Sequence, residues 1–118
     1  MPFRKVAVAI ITPTHTKKSF ELGLEMAKKF DSELTVIECM YKTPPKFYFF
    51  ETKSDKKLTQ NQTTKLKKEL ENWKGIAQKQ GVPIKTKLAL TENISHWVID
   101  YVKENNIDLL IVDYPKLS

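Results

Sequence analysis

The sequence predicts a three-layer α/β protein, with a Rossmann-like parallel sheet between two layers of helices. Residues 5–11 and 107–113 are continuous apolar runs, which is typical of strands that are buried on both faces of a sheet. Four predicted strands alternate with segments long enough to form helices, as crossovers between parallel strands require. Because such crossovers are right-handed, they place helices on both faces of the sheet.

The first half of the chain starts with the strand 5–11. Thr14 or Thr16 can cap the helix that follows, at about residues 17–30, by accepting hydrogen bonds from its first backbone N–H groups. Residues 33–40 then form the second strand. The helix is predicted from an apolar stripe at helical spacing, which consists of Phe20, Leu24, Met26, Ala27 and Phe30.

An irregular stretch, residues 41–57, follows the second strand, because two consecutive prolines exclude a helix there. The aromatic residues 47–50 either fold over the core as a lid or form an adhesive exposed surface, and we favour the lid. A long helix is predicted at residues 58–80, with Gly81 as its C-terminal cap.

The last third of the chain completes the sheet. Residues 82–90 alternate apolar and polar side chains, which is typical of a half-exposed edge strand. A third helix, capped by Thr91 or Asn93, precedes the final strand 107–113. The fully apolar strands belong inside the sheet or against a partner, so the predicted strand order is 3-2-1-4. Residues 1–118 are expected to form a single domain.

The composition limits the classes of function. The chain has 118 residues, a net charge of +6 and one cysteine, Cys39, which excludes an internal disulfide and a multi-cysteine metal site. All but one of the 20 basic residues are lysines, which suit bidentate recognition of phosphates less well than arginine, so we do not expect a nucleic-acid partner. No apolar stretch is long enough to cross a membrane, and no signal-peptide pattern is present, so a cytoplasmic protein without a membrane partner is expected.

Several segments resemble the universal stress protein domain, a relative of the adenine-nucleotide α-hydrolase superfamily. They are the first strand, residues 19–37 with the first helix and the start of the second strand, the start of the third strand at 81–84, and the final strand at 106–112. The resemblance covers nearly the whole chain. It implies the Rossmann-like fold and a role in stress response.

The functional signatures of that family are altered in this chain. The resemblance implies two features of nucleotide-binding members: an aspartate directly after the first strand and a glycine-rich phosphate loop after the fourth strand. This chain has Ile11 in place of the aspartate. Asp113 and Lys116 align with the first two glycines of that loop. Glycine lets backbone N–H groups approach a phosphate, whereas Asp113 repels one, so the chain is interpreted as a short form without the loop, and no cofactor is expected.

Candidate ligand-binding residues lie in the crevice beyond the carboxyl ends of the first and fourth strands. They are Thr12, Thr14, His15 and Asp113. We favour an exposed turn histidine as the interpretation of His15, although the helix start beside it could hold an anion. No catalytic residue is predicted, since no serine lies in a nucleophile elbow, and no metal site is predicted, since the two histidines lack a third ligand at suitable spacing.

The leading hypothesis is a non-catalytic, universal-stress-protein-like module in stress response or signalling, which acts through protein association and has lost nucleotide binding. The fourth strand has no predicted neighbour on its outer side, and an unpaired apolar edge favours a homodimer through that strand or another protein partner. The alternative hypothesis is a protein that binds ATP, AMP or a small anion between the first and fourth strands. A third hypothesis, nucleic-acid association through the lysine-rich second helix, is not favoured by the composition.

Overall fold

The computed structural model describes residues 3–11, 17–42 and 53–113, and only the backbone of residues 53–59. Strands and helices alternate along the chain. The elements are β1 (Lys5–Ile11), α1 (Lys18–Phe30), β2 (Glu33–Tyr41), α2 (Lys53–Lys79), β3 (Ile84–Thr91), α3 (Ile94–Glu104) and β4 (Leu109–Asp113). A helix long and apolar enough to span a bilayer does not occur among these described segments.

The four strands form one parallel sheet in the order β3-β2-β1-β4, which confirms the predicted order and fold class. β1 lies inside the sheet, and its side chains are buried at every position from Val6 to Ile10. The register aligns Val8 of β1 with Val36 of β2 and with Ile111 of β4. A strand that is apolar on both faces therefore occupies the interior, as the hydrophobic pattern of residues 5–11 predicts.

α1 and α2 cover one face of the sheet and bury the larger of two apolar clusters there. Phe20 of α1 stacks on Trp73 of α2, with ring centroids 5.2 Å apart and ring planes at 13°. Gly23 lets α1 approach β1 closely, because a Cβ atom at this position would overlap Cγ2 of Val8. The buried residues of this cluster are Val6, Val8, Ile10, Phe20, Leu24, Ala27, Leu34, Val36, Leu70, Trp73, Ala77 and Val82.

α3 covers the opposite face, so the sheet lies between two helical layers. Ala9, Cys39 and Ala89 belong to the smaller cluster on this side, and Val98 is the buried residue that α3 contributes to it. These small strand side chains allow an apolar helix face to pack closely on the sheet. The three layers predicted from the sequence are therefore present.

Local sequence determines where α2 ends and where α3 begins. Gly81 has a φ of 76°, in the left-handed region, and the N–H of Val82 donates to the carbonyl of Ala77 at 3.0 Å. Oδ1 of Asn93 accepts a hydrogen bond from the N–H of His96 at 3.0 Å. The prediction of Gly81 as a cap is confirmed, and of the two residues considered for α3 the structure selects Asn93.

Asp108 joins the beginnings of β1 and β4. Its Oδ2 accepts hydrogen bonds from the backbone N–H groups of Lys5 and Arg4, each at 2.9 Å. These two bonds lower the pKa of Asp108 below its usual value, since they favour the ionised carboxylate. The side chain thus helps to align the edge strand with the central one.

Three predicted features differ in the structure. The N-cap of α1 is Lys17, without a side-chain cap hydrogen bond, whereas Thr14 or Thr16 was expected to cap this helix. α2 begins at Lys53 rather than at residue 58. The residues of its first turns are mainly polar and form no apolar stripe, so the sequence pattern does not indicate a helix there. Lysine and other polar residues with good helix propensity can nevertheless extend a helix.

The side chains of β4 are half-buried except at Asp113, whereas the apolar run predicted burial on both faces. In the described part of the chain, β4 pairs only with β1, so it is an edge strand there. The predicted lid at residues 47–50 lies outside the described residues.

Candidate functional site

The carboxyl ends of β1 and β4 lie side by side, because the two strands are parallel and paired. Ile10 of β1 is in register with Asp113 of β4 on one side and with Glu38 of β2 on the other. Residues in register point to the same face of a parallel sheet, so both carboxyl groups face the layer of α1 and α2, as Ile10 does. Two acidic side chains therefore lie near this end of the sheet.

Of the four residues predicted to line the crevice, Asp113 is the one that the structure describes. Thr12, Thr14 and His15 lie outside the described residues. The side chain of Asp113 is buried, with 8% of the residue exposed, and its Oδ2 accepts a hydrogen bond from Oγ of Ser19 at 2.8 Å. No sequence pattern connects Ser19 with Asp113, because the two residues are 94 positions apart in the chain.

Ser19 lies in the first turn of α1, so its bond with Asp113 places a carboxylate beside the N-terminus of that helix. The first N–H groups of a helix and the helix dipole favour a negative charge at this position. The Asp113 side chain therefore occupies a position at this helix end that favours an anion.

Glu38 is the second carboxyl group at this end of the sheet, and the sequence analysis did not single it out. The residue is only 1% exposed, and among the described residues its Oε1 has no hydrogen-bond partner. Burial, with a smaller contribution from the charge of Glu69, raises the pKa of Glu38 from 4.5 to about 8. A signal was available in the sequence, since Glu38 continues the inward-facing series of Leu34 and Val36. With a pKa of about 8, the Glu38 side chain is mostly protonated at pH 7.

Cys39 and His96 were predicted to have no catalytic role. Cys39 is fully buried, and burial, together with the neighbouring Glu38, raises its pKa to about 12, so little thiolate forms at neutral pH. His96 is exposed on α3, and its Nε2 lies 3.1 Å from Oδ2 of Asp100. In the described ranges, no three His, Cys, Asp or Glu side chains lie close enough together to hold a metal ion.

Comparison with known proteins places this architecture in a family. The sequence model of the universal stress protein family matches residues 2–117. The structure is similar to a protein of that family from Burkholderia pseudomallei, with a TM-score of 0.78 and 13% identity over 95% of this chain and 82% of the other. It is also similar to the universal stress protein UspA from Lactobacillus plantarum, with a TM-score of 0.79 and 14% identity over 100% of this chain and 81% of the other. No functionally curated protein matches the sequence.

These two kinds of similarity carry different weight. At 13% and 14% identity, the structural neighbours establish the fold and not a ligand. The family match extends over nearly the whole chain and agrees with the observed strand order. The chain is therefore a member of the universal stress protein family.

Proposed function

We propose that this chain is a non-catalytic stress-response protein that acts in the cytoplasm through protein association, forms a homodimer through β4 and does not bind adenine nucleotides. Membership of the universal stress protein family supports the role in stress response. The observation that carries the proposal is the position of Asp113, whose buried carboxylate accepts a hydrogen bond from the first turn of α1.

The loss of nucleotide binding is supported by the chemistry at the end of α1. A nucleotide needs donors and positive potential for its phosphates, and a helix N-terminus supplies both. Here the hydroxyl of Ser19 is a donor to Asp113, and the Asp113 carboxylate brings a negative charge to the same helix end. A phosphate would have to displace this internal carboxylate, and at this close range the two negative charges would repel each other.

The association through β4 is supported by the open side of that strand. The carbonyl of Lys5 accepts a hydrogen bond from the N–H of Asp108, just before β4, so the backbone groups of Lys5 point towards β4. Backbone groups of alternate residues in a strand point to the same side, so those of Ala7 and Ala9 also point towards β4. The residues in register with them, Leu110 and Val112, then direct their own N–H and C=O groups away from β1. Apolar edge strands of this kind pair with another chain or aggregate unless they are covered. A second copy of the chain provides a matching edge.

Light scattering with edge variants tests the homodimer. Val112→Pro removes an outward N–H group from β4, and we expect it to convert a dimer into a monomer at high micromolar concentration. The matched control is Thr86→Pro on β3. The carbonyl of Pro83 accepts a hydrogen bond from the N–H of Leu34 in β2, so by the same alternation the backbone groups of Thr86 point away from β2, towards the other edge of the sheet. This variant should stay dimeric, and circular dichroism checks that both variants are folded. A strictly monomeric wild-type protein, or a dimer lost only in Thr86→Pro, would contradict the proposal.

Calorimetry tests the loss of nucleotide binding and decides between the proposal and its alternative, a binder of ATP, AMP or a small anion. Titration of the full chain with millimolar ATP, AMP or inorganic phosphate should release no binding heat, and none of these ligands should raise the melting temperature. Saturable heat with either nucleotide would overturn this part of the proposal. The light-scattering result would not change, because β4 pairing and nucleotide binding involve different groups.

A further inference from the structure

A surface pocket lies at the carboxyl end of β3, alongside α3 and away from the crevice described above. Its volume is about 310 Å³, at the lower end of the range for small-ligand sites, and it is open to solvent. Thr91 of β3 lies at one side, and successive turns of α3 form the other. This pocket is separate from β4, since β3 and β4 are at opposite edges of the sheet.

An aromatic pair forms one wall of the pocket. The rings of Trp97 and Tyr101 are nearly parallel, at an angle of 6°, with centroids 5.4 Å apart. Both side chains are half-buried, since they pack against the smaller apolar cluster and also line the pocket. The carbonyl of Tyr101 accepts hydrogen bonds from both the backbone and the side-chain nitrogen of Asn105, each at 3.0 Å, which holds this end of α3. The aromatic wall is therefore a stacked pair that is anchored to the fold.

Acidic groups complete the pocket. Asp100 and Glu104 line it, and none of the described residues that line it is a lysine or an arginine, although the chain carries a net charge of +6. His96 holds one oxygen of Asp100 at 3.1 Å and so orients that carboxylate. Glu104 is the last residue of α3, where the helix dipole also favours a positive charge. The pocket thus combines aromatic faces with carboxylates, which is the chemistry that recognises a planar organic cation.

We propose that this pocket binds an arginine side chain of a partner protein, with the guanidinium group stacked on the aromatic wall and hydrogen-bonded to Asp100 and Glu104. Arginine fits better than lysine, because its planar group can stack and can donate two parallel hydrogen bonds to a carboxylate. The chain's one arginine, Arg4, precedes β1 and lies at the opposite end of the parallel sheet from Thr91, so the occupant comes from another molecule. The open pocket admits a side chain while the main chain that bears it stays outside.

This inference rests on the proposed role in protein association, and it adds the chemistry of a partner. The test is an NMR titration of the full isotope-labelled chain with the peptide acetyl-Gly-Arg-Gly-amide. We expect saturable shifts of the Trp97 indole N–H and of backbone amides in α3. The lysine peptide should bind about tenfold more weakly, and the citrulline peptide, which is planar but uncharged, should give no saturable shift.

Charge-neutral variants then locate the site. Asp100→Asn and Glu104→Gln should each weaken binding of the arginine peptide by about tenfold, because each removes a charge-assisted hydrogen bond. The matched control is Glu92→Gln, an exposed carboxylate close to the pocket that does not line it, and this variant should bind as the wild type does. Unchanged amide spectra elsewhere show that the variants are folded.

Several outcomes would overturn the inference. They are the absence of a saturable shift, equal binding of the lysine and arginine peptides, and an equal loss of binding in Glu92→Gln. Binding of free guanidinium as tight as that of the peptide would identify a small-cation site and not a site for a protein partner. Light scattering of the same samples reports on β4 pairing separately, so a failure here is distinguishable from a failure of the homodimer.

Discussion

Replacement of Glu38 by glutamine is expected to stabilise the protein at alkaline pH and to leave its stability at acidic pH nearly unchanged. Glutamine has nearly the same shape as a protonated glutamic acid and cannot ionise. The wild-type side chain is fully buried, and none of the described residues bonds to its Oε1, so ionisation creates a poorly solvated charge there.

The pH dependence follows from the two pKa values of Glu38. In the unfolded chain the group titrates near 4.5, and in the folded protein near 8. Between these values the folded state keeps a proton that the unfolded state has released, so the free energy of unfolding falls as the pH rises. The stabilising contribution of the protonated group is complete below pH 4.5 and is lost as the pH rises through about 8.

The magnitude can be worked from the same shift. At about 1.4 kcal/mol for each pKa unit, a change from 4.5 to about 8 corresponds to roughly 5 kcal/mol as an upper limit. Nearly all of this difference is reached at pH 9, so we expect the Gln variant to be more stable than the wild type by about 3–5 kcal/mol at that pH. At pH 5, only half a unit above the unfolded pKa, the same linkage leaves a difference of less than about 1 kcal/mol.

Urea denaturation at pH 5, 7 and 9, followed by tryptophan fluorescence and circular dichroism, measures this difference. Glu71→Gln on the exposed side of α2 is the matched control and should follow the wild-type pH dependence. Glu69→Gln should reduce the slope, because the charge of Glu69 is the second cause of the raised pKa. Equal slopes in the wild type and in Glu38→Gln would refute the assignment of the pH dependence to this buried carboxyl group.

Three further substitutions test how the fold is held together. Gly23→Ala should lower the free energy of unfolding by about 1–3 kcal/mol in urea titrations, because the new methyl group overlaps Val8; an unchanged midpoint would show that α1 does not approach β1 this closely. Gly81→Ala meets no neighbouring atom but places an alanine at φ 76°, so a loss of about 1 kcal/mol is expected, and equal stability would argue against the left-handed cap. Asn93→Ala should cost about 1 kcal/mol and speed hydrogen exchange at the N–H of His96, whereas unchanged exchange there would argue against the cap.

The sequence predicts most of this fold because its signals are local. The apolar run at residues 5–11 indicates a central strand, the alternation at 82–90 indicates an edge strand, and Gly81 marks the end of a helix by its conformational freedom. The order of the strands follows from combining these patterns with right-handed crossovers. The start of α2 was placed too late for the same reason, since its polar first turns bury no face and leave no periodic signal.

The candidate site was less accessible to sequence reasoning. Asp113 was identified because it follows an apolar run and takes the place of a glycine in the family's phosphate loop. Its partner Ser19 is 94 residues away in the chain, and no periodicity connects the two positions. The spacing of Trp97 and Tyr101 is that of an apolar helix face, and it does not reveal that these two side chains also line a surface pocket.

The sequence by itself determined the elements, the parallel sheet, the strand order and the family, because side-chain periodicity and turn residues act over a few positions. Only the tertiary structure decided the environment of each ionisable group: that Glu38 is buried with no partner for Oε1 among the described residues, that Asp113 meets the first turn of α1, and that Asp100 lies beside a stacked aromatic pair. The physical reason is that pKa values and ligand affinities depend on desolvation and on charges brought together by the fold, and residues distant in the chain supply both.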